Sequence, residues 1–170
     1  MTPLQRAIVA AGAAVGLALV AKADDADAKK RRAPGSSDWR PPPGATPYRD
    51  AARIAEIKYG IPETLLLALL DQESGFRPEV IHGGQANHAG AVGIAQIIPR
   101  WHPDVDPSKP FEAIDYAGRY LRENFDRFGN WDHALAAYNW GPTALATHGY
   151  DRRPRETREY VERINARVFA

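Results

Sequence analysis

Apolar residues recur at three- and four-residue steps through most of the chain after Tyr48, the spacing of one face of an α-helix. Between residues 48 and 59 they fall at Ala51, Ala52, Ile54, Ala55 and Ile57, and Gly60 stands where a helix-ending glycine belongs. Pro62 is placed to open the next helix in its first turn, where a missing N–H costs nothing. In that helix, over 62–74, the leucines at 65–70 cover every face, which predicts a buried central helix. After Pro110, the positions Phe111, Ile114, Ala117, Leu121, Phe125 and Phe128 mark the clearest amphipathic helix of the chain. Asn130 can cap the next one, which carries Ala134, Leu135 and Tyr138 before Gly141 and Pro142 stop it. A last helix places Tyr160, Val161, Ile164 and Val168 on one face. No stretch alternates as a strand would. A mainly α domain over 48–170 is expected, with long loops around 81–90 and 100–109.

The start of the chain has a different pattern. Residues 7–21 form an uncharged apolar run, preceded by Arg6 and followed by Ala21-Lys22-Ala23. A weakly basic start, an apolar centre and small residues at alternate positions is the layout of a secretory signal peptide. The run is shorter than the ~20 residues of a spanning helix, although Leu4 and the flanks could lengthen it. Three readings stay open for residues 1–23: a cleaved signal, a retained anchor touching the membrane through residues 4–21, or a buried core helix. The first two both carry the domain across a membrane. Over 24–47 apolar residues are scarce, with Asp24, Asp25, Asp27, the basic run Lys29-Lys30-Arg31-Arg32, and Pro41-Pro42-Pro43-Gly44. Such a segment cannot offset its ordering entropy, so a disordered, proline- and charge-rich linker is expected.

Composition narrows the chemistry. The chain has 170 residues, 44% hydrophobic and 25% charged, enough for one ordinary domain and a tail. A formal charge of +1 argues against a nucleic-acid binder. The absence of cysteine excludes disulfides, thiolate metal sites and a thiol nucleophile. His82, His88, His102, His133 and His148 lack ligand spacing, and the calcium-loop-like start Asp104-Val105-Asp106-Pro107-Ser108 has Lys109 where the turn glycine is required. No metal or cofactor is expected, and the domain is expected to be monomeric.

Glu73 is the candidate that remains. It stands at the C-terminal end of the leucine-rich helix, where desolvation and the negative end of the helix dipole should both raise its pKa. A carboxyl group still protonated near neutral pH can donate a proton to a glycosidic oxygen. Asp71, two positions earlier, points to another side and should not form a dyad with it. Position alone leaves a solvated surface glutamate as the ordinary alternative.

Four elements in order bear on that choice: Glu73-Ser74 near a helix end, Gly93-Ile94-Ala95-Gln96, Ala137-Tyr138-Asn139-Trp140-Gly141, and Glu156-Thr157-Arg158-Glu159-Tyr160-Val161. Together they resemble the soluble lytic transglycosylase domain, a branch of the lysozyme superfamily related to goose-type lysozymes, over residues 51–164. The resemblance implies a lysozyme-like fold with helices around a substrate groove. It also implies cleavage of peptidoglycan between N-acetylmuramic acid and N-acetylglucosamine with 1,6-anhydro ends, and Glu73 as catalytic acid and then base. Gln96, Tyr138, Asn139, Glu156, Tyr160 and Ser74 would line or support the sugar site. Two features depart from the family pattern. Ala95 replaces a methionine, and the loop before it is long and glycine-rich, with Asn87 the nearest stand-in for a serine that contacts the glutamate in relatives. Trp101 and Trp140 could stack on sugars, or pack in the core. A hydrolytic muramidase on the same fold and a silent glycan-binding protein are the alternatives. The expected setting is exported: periplasmic, anchored in the inner membrane, or associated with a virion.

Overall fold

A computed structural model describes residues 38–84 and 86–169. The apolar run, its expected membrane contact and the linker as far as residue 37 lie outside the described residues. Among those described, no helix is long and apolar enough to cross a membrane.

The described part is helical. A 3-10 helix (Pro43–Tyr48) leads into α1 (Arg49–Tyr59) and α2 (Leu65–Ser74), followed by the short α3 (Pro78–His82). The long α4 (Pro110–Phe128), α5 (Trp131–Trp140), α6 (Pro142–His148), a 3-10 turn (Tyr150–Arg152) and α7 (Arg155–Val168) complete it. Extended pairing among these residues amounts to an isolated bridge, Val92 with Ile97.

Helix α2 is the centre, with α1, α4 and α7 packed around it. Leu65, Leu66, Ala68, Leu69 and Leu70 are entirely buried, as the all-round leucine pattern predicts. Each such leucine contributes about 1.5–3 kcal/mol. Their sum exceeds the ~1–3 kcal/mol cost of the left-handed backbone at Thr64 (φ 68) from which the helix starts. Tyr160, Val161, Ile164 and Val168 of α7 are buried as expected, and Ala113, Ile114, Ala117 and Leu121 of α4 meet the same core. Gly118 lets α1 and α4 close on each other, since a Cβ there would lie 3.1 Å from Tyr59 and 3.2 Å from Ala55.

Several expectations are corrected. On α1 only the small members of the apolar set are buried: Ile54 and Ile57 are 64% and 67% exposed, while Ala52 and Ala55 point inward together with Glu56. Small alanines allow close approach, and Glu56 turns in because the first turn of α2 offers unpaired N–H groups. Its Oε1 accepts from Leu66 N (3.1 Å) and Leu67 N (3.4 Å). Accordingly α2 begins at Leu65 rather than at Pro62.

The linker does not run to residue 47. Trp39 packs against the core, Ala45 is fully buried, and Tyr48 stacks on Phe76 with ring centroids 6.1 Å apart. Helices α3 and α6 were expected as loop and as a stop. Both open with proline at the first turn, a position that starts a helix as readily as it ends the one before. In α4, Phe111 is 58% exposed, whereas Asn124 is buried on the face that the aromatic spacing assigns to the core.

Candidate active site

The site is built around the last turn of α2. Gly75 (φ 60) ends the helix in the left-handed region, donating its N–H to Asp71 O at 2.9 Å. Phe76 follows with φ 51, a conformation unfavourable for a side chain of that size. Surrounding contacts hold it there. The Ser74 hydroxyl donates to Leu70 O (3.0 Å) and accepts from Phe76 N (3.2 Å), and the Phe76 ring is buried beneath Tyr48. A Cβ on Gly44 would sit 2.5 Å from Phe76 O, so only glycine lets the N-terminal 3-10 turn lie against this corner. Ser74 is fully buried with its hydroxyl engaged on both sides. It shapes the turn from within the core.

Glu73 projects half-buried from this rigid turn. The Tyr160 hydroxyl, on α7, donates to its Oε1 at 2.5 Å. Burial raises the Glu73 pKa from 4.5 to about 7, and the Tyr160 hydrogen bond draws it back only in part. Burial also holds the Tyr160 and Tyr138 phenols well above 10, so both remain protonated donors at neutral pH. Asp71 is committed elsewhere, paired with Arg167 at 3.1 Å, in keeping with the expectation that it forms no dyad. Gln72 accepts from Arg167 (3.0 Å) and Arg163 (3.3 Å), which fixes the outer side of the same turn to α7.

The GIAQ segment forms a tight reverse turn closed by the bridge between Val92 and Ile97 (2.9 and 3.1 Å). Gly93 (φ 78) is required there, because a Cβ would lie 2.0 Å from Pro107 O. Gln96 also has positive φ (48), and its amide Nε2 donates to Gly93 O at 2.9 Å. Its Oε1 accepts from Asn87 Nδ2 at 3.0 Å. Asn87 therefore holds Gln96, and its Oδ1 closes the loop through Ala89 N and Ala91 N; its hydrogen bonds do not go to Glu73. The Tyr138 hydroxyl donates to Ala95 O (2.9 Å), tying α5 to this turn, and Tyr138 lies close enough to Glu73 for a Glu73 charge to push its phenol further up.

Asn139 accepts from Thr157 Oγ1 (2.8 Å), joining α5 to α7 behind the site. Glu156 is exposed in the first turn of α7. Trp140 stacks on His148 at 5.6 Å, and Trp101 is 64% exposed. Sequence reasoning missed the support from Gly44, Tyr48 and Phe76. The remaining signal was a tyrosine and a glycine at the end of a proline run, which reads equally well as linker.

A half-buried carboxyl lifted to about 7, a tyrosine donor and two strapped turns thus meet around α2. The sequence profile of the transglycosylase SLT domain matches residues 50–161. The chain belongs to the SLT transglycosylase family. A protein named transglycosylase from Enterobacteria phage PRD1 is 28% identical over 101 residues, covering 58% of this chain and 36% of that protein. This chain therefore corresponds to little more than a third of that relative's length. The mainly helical, lysozyme-like architecture expected of an SLT domain is the one observed.

Proposed function

We propose that this SLT domain is a peptidoglycan lytic transglycosylase in which Glu73 acts first as acid and then as base. The observation that carries the reading is the Glu73 carboxyl, lifted to about 7 by burial and facing a tyrosine hydroxyl rather than a cation. At neutral pH a large fraction is protonated and ready to donate. Its proton goes to the oxygen linking N-acetylmuramic acid to N-acetylglucosamine, the anomeric C–O bond breaks, and the glucosamine leaves with a free 4-hydroxyl. The Tyr160 hydrogen bond then stabilises the carboxylate that has formed. That carboxylate takes the proton of the muramoyl C6 hydroxyl as its oxygen closes on the anomeric carbon, giving the 1,6-anhydro end and restoring the acid.

An internal nucleophile brings a high effective concentration, so no second carboxylate is needed to position water. Asp71, the nearest carboxylate in sequence, is held by Arg167. Two-carboxylate glycosidases need both groups free on either side of the bond. The substrate's acetamido oxygen shields the developing positive charge. Gln96 keeps one amide hydrogen and one lone pair beyond its two internal bonds, and these are offered to a sugar acetamide or hydroxyl. Tyr138 and Tyr160 border the reacting bond, Asn139 braces them, and exposed Glu156 is placed for an outer contact. Action on the wall requires export, for which residues 1–23 are the candidate.

Mass spectrometry of digested sacculi tests the reading. Products lighter by one water, with anhydro ends, are expected. Reducing ends alone would establish a hydrolytic muramidase, and no release at all a binding protein.

A further inference from the structure

A row of rings continues outward from Tyr138. Its ring centroid is 5.6 Å from that of Tyr120, and Tyr120 is 4.9 Å from His102. His102 meets Tyr116 edge-on at 5.4 Å, with its Nδ1 2.6 Å from the Tyr116 hydroxyl. This contact pins the loop after Gln96 onto α4. All four rings are half-buried, so each retains some surface toward solvent. Trp101, next to His102 in the chain, is 64% exposed, its backbone held by Trp101 N to Ile98 O at 3.0 Å. The Arg100 guanidinium lies 4.4 Å from the indole centroid, and that of Arg119 lies 4.8 Å from the Tyr116 ring.

This open tryptophan, one residue before His102 on the pinned loop, presents a broad flat apolar surface beyond the part that the Arg100 guanidinium overlies. Among the described residues, the other open large apolar side chains do not offer this arrangement. Ile54 and Ile57 have no flat face, and Phe111 tilts onto Tyr48 at 5.8 Å. Beside the indole stands a guanidinium, whose planar fork suits a carboxylate.

We propose that Trp101 and Arg100 form an outer substrate subsite, held in place by the His102–Tyr116 contact. It takes a saccharide unit bearing an anionic peptide stem, away from the reacting bond. The pyranose stacks on the indole, and Arg100 pairs with a carboxylate of the stem. The proposal rests on the reading of peptidoglycan strands as substrate, and adds selectivity for stem-bearing over bare glycan.

Binding without turnover tests it. On the Glu73→Gln background, Trp101→Ala and Arg100→Gln are compared for affinity to purified soluble glycan strands, with stems intact or removed by an amidase. Trp101→Ala should weaken binding to both strand types about tenfold. Arg100→Gln should weaken stem-bearing strands about three- to tenfold and bare strands by clearly less. In the Glu73-intact enzyme, Trp101→Ala should raise KM more than it lowers kcat, with a smaller effect on fragments too short to reach the subsite. Both positions are exposed, so melting temperatures should match the parent and exclude misfolding as the cause. Affinity unaffected by Trp101→Ala on both strand types overturns the subsite. Equal losses on stem-bearing and bare strands for Arg100→Gln overturn the stem assignment. Absence of anhydro products from the Glu73-intact enzyme, with the binding losses as expected, would instead remove the proposed reaction and leave the subsite standing.

Discussion

Two glutamates stand at opposite ends of helix α2, and the protein treats them in opposite ways. Glu56 reaches in from α1 to the N-terminal end, where the helix dipole favours negative charge. It is 2% exposed, accepts from Leu66 N and Leu67 N, and has Arg53 Nη1 3.6 Å away. Its pKa is raised too, burial outweighing the pull of the backbone N–H groups of Thr64, Leu67 and Leu66 and of the Arg53 charge, but it has several such donors where Glu73 has one. Glu73 lies at the C-terminal end, where the dipole is unfavourable, and the group drawing its pKa down is the Tyr160 hydroxyl. One carboxylate is provided with donors and completes a helix cap. The other is under-supplied and keeps its proton to neutral pH, a condition suited to acid catalysis and poor for stability.

Removing the under-supplied group should give the largest effect. Glu73→Gln is expected to lower glycan release by about 10²–10⁴-fold in a turbidity assay of sacculi. The same variant should be more stable than the parent at high pH. A folded-state pKa raised from 4.5 to about 7 leaves the glutamate harmless below 4.5 and costly as pH rises through 7. At about 1.4 kcal/mol per unit, the gain reaches roughly 3 kcal/mol above pH 8 and vanishes below pH 4.5. Denaturant melts at pH 4 and pH 8.5 check this.

Glu56→Ala should do the reverse. Loss of a buried cap costs about 2–3 kcal/mol of stability, seen as a lower melting temperature, while the folded fraction still cleaves. Tyr160→Phe sharpens the contrast more gently. Removing the hydrogen bond that lowers Glu73 should move the alkaline limb of the pH–rate profile upward, and lower the rate about tenfold at pH 6 by leaving the new carboxylate unsupported. Arg53→Gln should matter least, about 1 kcal/mol or less, because its side chain is 47% exposed and its ion pairs with Glu56 and Glu63 are 3.6 and 3.5 Å long.

The same contrast explains what was legible in the sequence. Helices whose partners are core leucines, such as α2 and α7, were readable because periodicity records burial directly. Local caps were readable too: Gly60 has φ 63, and Asn130 Oδ1 accepts from His133 N at 2.8 Å. Glu56 was not, because a charged residue on an amphipathic helix signals solvent unless its distant N–H partners are known. The 3-10 turn at Pro43–Tyr48 escaped for the same reason, since its worth lies in Phe76 and not in its own pattern. At the site, Glu73 could be singled out from its helix end, and the family resemblance supplied the polymer. The Tyr160 contact spans 87 residues and comes from packing α7 against α2. Asn87 was expected as a contact of the glutamate; its hydrogen bonds go to Gln96 and to its own loop.

The most direct test is the titration of the Glu73 carboxyl in the intact protein, followed by carbon-13 NMR and assigned by its loss in Glu73→Gln. A midpoint near 7 is predicted, matching the fall of activity on the alkaline side. A midpoint near 4.5 would leave Glu73 ionised at neutral pH and contradict its role as the acid.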